Sequence, residues 1–214
     1  MISLSLKEIS SILCIGAHAD DIEIGCGGTL LSLLRANNQL SVGWVVLSSG
    51  GEREAEARES ASAFLAGATN STVEVKQFRN GFFPYDSTVK DFFEDLKQRY
   101  APDLVLTHRR EDRHQDHRTV SDLTWNTFRD NLVLEYEIPK WDGDLGQPNI
   151  YAPLQEWAYM AKIEKLAGAF ASQQSRPWYD PETFRGLMRL RGMECNAASR
   201  YAEGFFGRKL ALSV

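Results

Sequence analysis

No stretch of this sequence approaches the roughly 18 consecutive apolar residues that a membrane-spanning helix requires, and its beginning lacks the basic-then-apolar pattern of a secretory leader. Cysteine is scarce. Cys14, Cys26 and Cys195 are the only three among 214 residues, and none forms a CxxC pair. An odd, scattered set argues against a disulfide framework and for a reducing compartment, so a cytoplasmic protein is expected. Positive charge is in deficit: 24 Lys and Arg against 29 Asp and Glu give a formal net charge of -5. Phosphate contacts need a basic surface, so nucleic acid is not an expected partner, and neither is a membrane.

Phosphate-binding and nucleophile signatures are missing as well. A dinucleotide fingerprint needs G-x-G-x-x-G directly after a strand, but Gly16 is followed by Ala17 and His18. There is no Walker A sequence and no G-x-S-x-G elbow. The stretch SSGGE, from Ser48 to Glu52, is the nearest approach to a phosphate loop. No repeat, low-complexity tract or linker divides the chain. One domain over residues 1–214 is therefore expected, long enough to bury a sizeable core.

What is present is an alternation of short apolar runs and helical patterns. Strands are predicted over 11–17, 41–51, 72–78, 103–108 and 132–139, and helices over 27–38, 52–67, 87–100, 117–132, 156–174 and 181–195. Residues 145–154, with two prolines, read as a loop. The alternation implies a Rossmann-like α/β fold, a mostly parallel sheet with helices on both faces. The last third is expected to complete the sheet and wall a pocket. Gly25, Gly27 and Gly28 read as a polar loop's end or as sites of close helix-on-strand packing.

Histidine is rare and not scattered. There are four: His18, directly after the first predicted strand, and His108, His114 and His117, within THRREDRHQDH after the fourth. Ligands of open α/β sheets bind beyond the carboxyl ends of the strands, so two distant pieces of sequence are delivered to one edge. His18 and Asp21 are three residues apart, as are His114 and His117. Two imidazoles and a carboxylate with an open position suit catalytic Zn²⁺. Asp20, Asp116 and the remaining histidine are then free for proton transfer and for support of the ligands. Such pairs also occur as plain helix caps. Two other function classes stay in view: a non-catalytic carbohydrate- or nucleotide-binding module, and a metal-dependent phosphoesterase.

The residues also resemble a known family. AHADDIEIGCGGT (17–29) and HQDH (114–117) are similar to the two signature motifs of the LmbE-like, or PIG-L, zinc-dependent de-N-acetylases. Arg53 with Glu56-Ala57 resembles the family's R-x-x-E-A helix, and PDLVLTH (102–108) and YAEGFF (201–206) are also similar. Ala19 and Gln115 stand where the family usually has proline, and Ile22 where a glutamate often ends the first motif, with Glu23 just beyond. The resemblance implies that His18, Asp21 and His117 hold zinc and that Asp20 is the general base. It further implies that His114, as imidazolium, faces the developing oxyanion, that Asp116 completes the catalytic set as a tuning carboxylate, and that Arg53 contacts substrate. The implied reaction removes the N-acetyl group from a soluble N-acetylated amino sugar or glycoconjugate by metal-activated water. The small-molecule sugar is then the expected partner, and a homo-oligomer is compatible with the sequence. Phe82, Phe83, Trp141, Tyr151, Trp157 and Trp178 are candidate sugar-stacking faces.

Overall fold

The structure, a computed structural model, describes residues 3–6 and 8–211. The expected domain of residues 1–214 thus runs beyond the described residues at both ends. The strands are β1 (Ser11–His18), β2 (Ser41–Ser48), β3 (Asn70–Val75), β4 (Leu104–His108), β5 (Leu132–Tyr136), β6 (Ile150–Pro153) and β7 (Ala202–Gly207). The helices are α1 (Asp21–Ala36), α2 (Glu52–Phe64), α3 (Ser87–Arg99), α4 (Gln115–Thr127), α5 (Glu156–Ala169) and α6 (Pro181–Glu194). Among the described residues, no helix is long and apolar enough to cross a membrane.

The seven strands form one sheet in the order β3-β2-β1-β4-β5-β7-β6. β1 to β5 pair in parallel, and β7 runs antiparallel to both β5 and β6. The near-continuous apolar runs of the parallel strands follow from burial on both faces. Cys14, Trp44, Leu106 and Tyr136 pack into a core with residues of α1, α2, α5 and α6. Their neighbours Leu13, Val45, Val105 and Val133 pack the other way, into a core with Phe92, Phe93 and Val120 of α3 and α4. The strand order reverses between β1 and β4, which makes the carboxyl ends of those two strands the switch point where ligands bind in open sheets.

Three local features differ from expectation. α1 begins at Asp21, not at Gly27, so its glycines lie inside the helix. A Cβ on Gly25 would stand 2.2 Å from the Tyr136 ring, and one on Gly27 would stand 2.6 Å from Phe64. Close packing is therefore what they serve. The stretch 145–154, read as a loop, contains β6, an edge strand whose terminal Pro153 leaves no central ladder bond unmade. β7 was visible only as the motif YAEGFF and carries two glycines, which weaken a strand signal.

β7 also braces α1. Glu203 accepts from the backbone N–H groups of Gly28 and Thr29 at 2.8 and 2.7 Å, within the helix. Lys162 of α5 donates to Glu203 at 2.6 Å and to the carbonyl of Ile24 at 2.5 Å. The pair is buried, and an ion pair inserted into a helix's own ladder fixes the helix against its neighbours.

Candidate active site

β1 delivers His18 at its last position, and α1 starts three residues later at Asp21. The connection is tight. Asp20 takes a left-handed backbone conformation, φ 90° and ψ -23°, which costs a non-glycine residue free energy and persists only where the surroundings impose it. Arg53 of α2 supplies that constraint, donating to the carbonyl of Ala19 at 2.8 Å and to the Asp20 carboxylate at 3.2 Å. Asp21 turns its carboxylate back onto the His18 N–H at 2.6 Å, at the helix end where negative charge is favoured. Across the switch point β4 ends at His108, and the following turn leads into α4 with His114 as its N-cap and His117 in its first turn.

The two pieces converge. His18 Nδ1 lies 3.2 Å from His117 Nε2, His18 Nδ1 lies 3.5 Å from Asp21 Oδ2, and His117 Nε2 lies 3.6 Å from the same oxygen. Donors around 2.0–2.1 Å from a tetrahedral ion stand roughly 3.4 Å apart, so this triangle has the size of a metal's ligand face. Each imidazole is backed by a carboxylate: His18 Nε2 is 3.2 Å from Asp116, and His117 Nδ1 is 3.0 Å from Asp112. That arrangement orients each ring with its opposite nitrogen turned toward the triangle, where a bound cation would take the place of a proton.

The electrostatics agree. Burial alone would lower the His18 pKa, but the Asp116 and Asp21 carboxylates outweigh it and push it up to about 10. Burial would raise Asp21, yet His117 and His108 hold it well below the usual carboxylate range. His117, buried and stacked on His108, is pushed down to about 3 and so keeps a free lone pair. Carboxylates that keep a proton on one imidazole mark a place that draws a cation.

Beside the triangle opens a cleft of about 230 Å³, lined in part by Asp20, Arg53 and His114 and walled by Trp141, Gln173 and Trp178. Burial, with Asp21 next door, pushes Asp20 well above the usual carboxylate range, against the pull of Arg53. His114 Nδ1 accepts the N–H of Asp116 at 3.3 Å, which puts its proton on Nε2. Burial and the neighbouring His18 push its pKa down, which favours the neutral ring in the metal-free protein. Asp116 sits behind His18 and away from the cleft, held by the N–H groups of Gly81 and Phe83 at 2.6 and 3.2 Å.

The sequence itself decides the family. A family model described as PIG-L, GlcNAc-PI de-N-acetylase, matches residues 13–128, more than half of the chain. The chain belongs to the PIG-L family. The uncharacterized deacetylase YaiS of Escherichia coli K12 is 26% identical over 176 residues, 76% of this chain and 91% of that one. Among solved structures, an N,N'-diacetylchitobiose deacetylase from Pyrococcus horikoshii matches with a TM-score of 0.70 at 21% identity, over 94% of this chain and 85% of that one. GalB, the 4-carboxy-2-hydroxymuconate hydratase of Pseudomonas putida KT2440, matches with a TM-score of 0.72 at 18% identity, over 96% and 98%. These structures share the fold. Since one is a deacetylase and one a hydratase, architecture alone does not choose the reaction, and the side chains must.

Three residues with no expected role stand inside the site of this PIG-L protein. Asp112 accepts from His117 and from Lys140 at 3.0 and 2.8 Å, and its other oxygen accepts the His114 N–H at 2.8 Å. Lys140 in turn is tied to Asp144 at 2.7 Å. His108 is fully buried, with Nε2 3.2 Å from Asp21. The signal for Asp112 was its place five residues before His117; that for His108 was its place at a strand end. Of the six candidate aromatic residues, Trp141 and Trp178 reach the cleft. Phe83 is buried beneath His18, Phe82 stacks under Arg79, Trp157 under Arg35, and Tyr151 bonds Glu194 at 3.1 Å.

Proposed function

We propose that the protein is a zinc-dependent N-deacetylase of the cytoplasm that frees the amine of a soluble N-acetylated amino sugar or glycoconjugate. The observation that carries the reading is the His18–Asp21–His117 triangle, each imidazole backed by its own carboxylate, beside a cleft lined by a further acid, Asp20, that stands outside the triangle. Zinc held by those three side chains supplies a Lewis acid that polarises the amide carbonyl and brings the pKa of water toward about 7. Asp20 takes the proton of the attacking water, a transfer helped by a pKa raised above the usual carboxylate range. Arg53 keeps that carboxylate aimed at the cleft. His114, with Nε2–H available, donates to the oxyanion as the carbonyl carbon becomes tetrahedral. Asp20 then returns its proton to the nitrogen, and the C–N bond breaks to give the amine and acetate.

The exposed face of Trp141 and the half-buried Trp178 offer apolar surfaces to a sugar ring. The family match favours amide hydrolysis over a phosphoesterase, and the filled acid, base and ligand positions favour an enzyme over a binding module. A screen of N-acetylglucosamine, N,N'-diacetylchitobiose and related N-acetyl sugars tests this. Amine release should need zinc and stop with a chelator. Zinc-loaded protein that frees amine from none of them would refute the reading.

A further inference from the structure

The R-x-x-E-A stretch of α2 has a second polar residue beside Arg53, and the reaction leaves it unused. Arg53 and Glu56 are three residues apart and so lie on one face of the helix. Arg53 holds Asp20. Glu56 reaches the opposite wall of the cleft: one oxygen accepts the backbone N–H of Ser172 at 2.9 Å, the other the Ser172 hydroxyl at 2.5 Å.

That wall lies between α5 and α6 and holds a single 3-10 turn, Ala171–Gln173. Its backbone bonds are local, such as Gln173 N–H to the Phe170 carbonyl at 3.0 Å and Arg176 N–H to the Gln173 carbonyl at 2.8 Å. Local turns shape a segment but do not fix where it sits. Among the described residues, Glu56 provides the one hydrogen-bonded tie from 171–178 to an element other than α5. A carboxylate can only accept, so the Ser172 hydroxyl proton is committed to Glu56. The hydroxyl oxygen then accepts from Gln173 Nε2 at 3.1 Å. The order of donors runs outward from Glu56 and settles which way the Gln173 amide faces: nitrogen toward Ser172, carbonyl oxygen left over. Gln173 is 8% exposed and lines the cleft. Among the described residues its Oε1 accepts no hydrogen bond.

We infer that Gln173 is a specificity-determining residue, accepting a hydrogen bond from a hydroxyl of the substrate, and that Glu56 is the positioning residue that orients it through Ser172. An acceptor that faces the cleft with its direction fixed selects a polyhydroxylated ligand over one without a hydroxyl there, because a ligand that covers it without pairing it leaves a costly unpaired polar group. The inference takes its ligand class from the sugar-deacetylase reading but not its chemistry, and its test does not require turnover.

The test is calorimetric binding of N-acetylglucosamine to the metal-free protein. Gln173→Leu should weaken binding about tenfold, equivalent to 1.4 kcal/mol. Glu56→Gln, which can present a donor to Ser172 and reverse the chain, should weaken it to a similar degree. The double variant should bind no more weakly than either single one, since the two act as one unit. Ser172→Ala should match them and Ser172→Thr should restore wild-type binding, a rescue that loss of fold would not give. Wild-type affinity in Glu56→Gln, additive losses in the double variant, or no binding by the wild type would each overturn the inference. Binding with this pattern but without amine release on zinc loading would overturn the deacetylase reading and leave this one standing.

Discussion

Asp112→Asn is a one-atom change that should cost the metal site most of its strength. Three donors converge on the Asp112 carboxylate: His117 Nδ1–H and the Lys140 ammonium on Oδ2, and the His114 N–H on Oδ1. An asparagine has one acceptor oxygen, so it must fail at one side. With its oxygen kept on Oδ2's side, its amine meets the His114 N–H, and two donors face each other at the cap of α4. Turned the other way, its amine meets Lys140 and His117. His117 can then accept only by moving its own proton to Nε2, the atom 3.2 Å from His18 Nδ1 that faces the triangle. The first outcome leaves a buried donor unpaired, worth about 1–3 kcal/mol of stability; the second takes a lone pair from the metal. Loss of such a supporting carboxylate typically lowers metal affinity 10–100-fold, or about 1.4–2.7 kcal/mol. Competition against a chromophoric zinc chelator measures this directly. Zinc affinity within twofold of the wild type, with His117 unshifted, would show that Asp112 does not set the histidine's tautomer.

Asp20→Asn should keep zinc and lose activity by about 10²–10⁴-fold, the range of a general base, since asparagine tolerates the left-handed backbone at this position; paired zinc content and deacetylation rates check it. Lys162→Met strands Glu203 in the core and should destabilise the fold by about 3–5 kcal/mol, read from urea unfolding. Glu23 is buried, and burial lifts its pKa from 4.5 to about 7. The protonated carboxyl is thus favoured by the fold, and its contribution is complete below pH 4.5 and lost as pH rises through about 7. Glu23→Gln should therefore gain stability over the metal-free wild type between those values and hold a constant lead above them, at most about 3 kcal/mol. Unfolding curves from pH 4 to 9 with a pH-independent difference would contradict it.

The sequence carried the parallel strands because burial on both faces leaves an unmistakable mark, as in Ile12–Ile15 and Val42–Leu47. It also carried the convergence of His18 with His117, because both follow such strands. β6 and β7 were harder. Four residues ending in proline, and six with two glycines, owe their strand form to pairing partners that lie far off in sequence. Asp116 was legible as a supporting carboxylate, but Asp112 and Glu203 escaped for the same reason. Nothing near Asp112 in sequence says that Lys140 will come to it, and nothing near Glu203 says that it will enter the ladder of α1. The engagement of the His114 Nδ1 by the cap of α4 was not legible either, since backbone geometry sets that contact and residue type does not.

The most direct test of the account is anomalous diffraction at the zinc edge from crystals of the zinc-loaded protein. The account predicts one strong peak on the face formed by His18 Nδ1, Asp21 Oδ2 and His117 Nε2. His18, His114 and His117 also bring donor atoms within 4.8 Å of one another. A peak bound by those three histidines with Asp21 disengaged, or a peak elsewhere in the molecule, would contradict it.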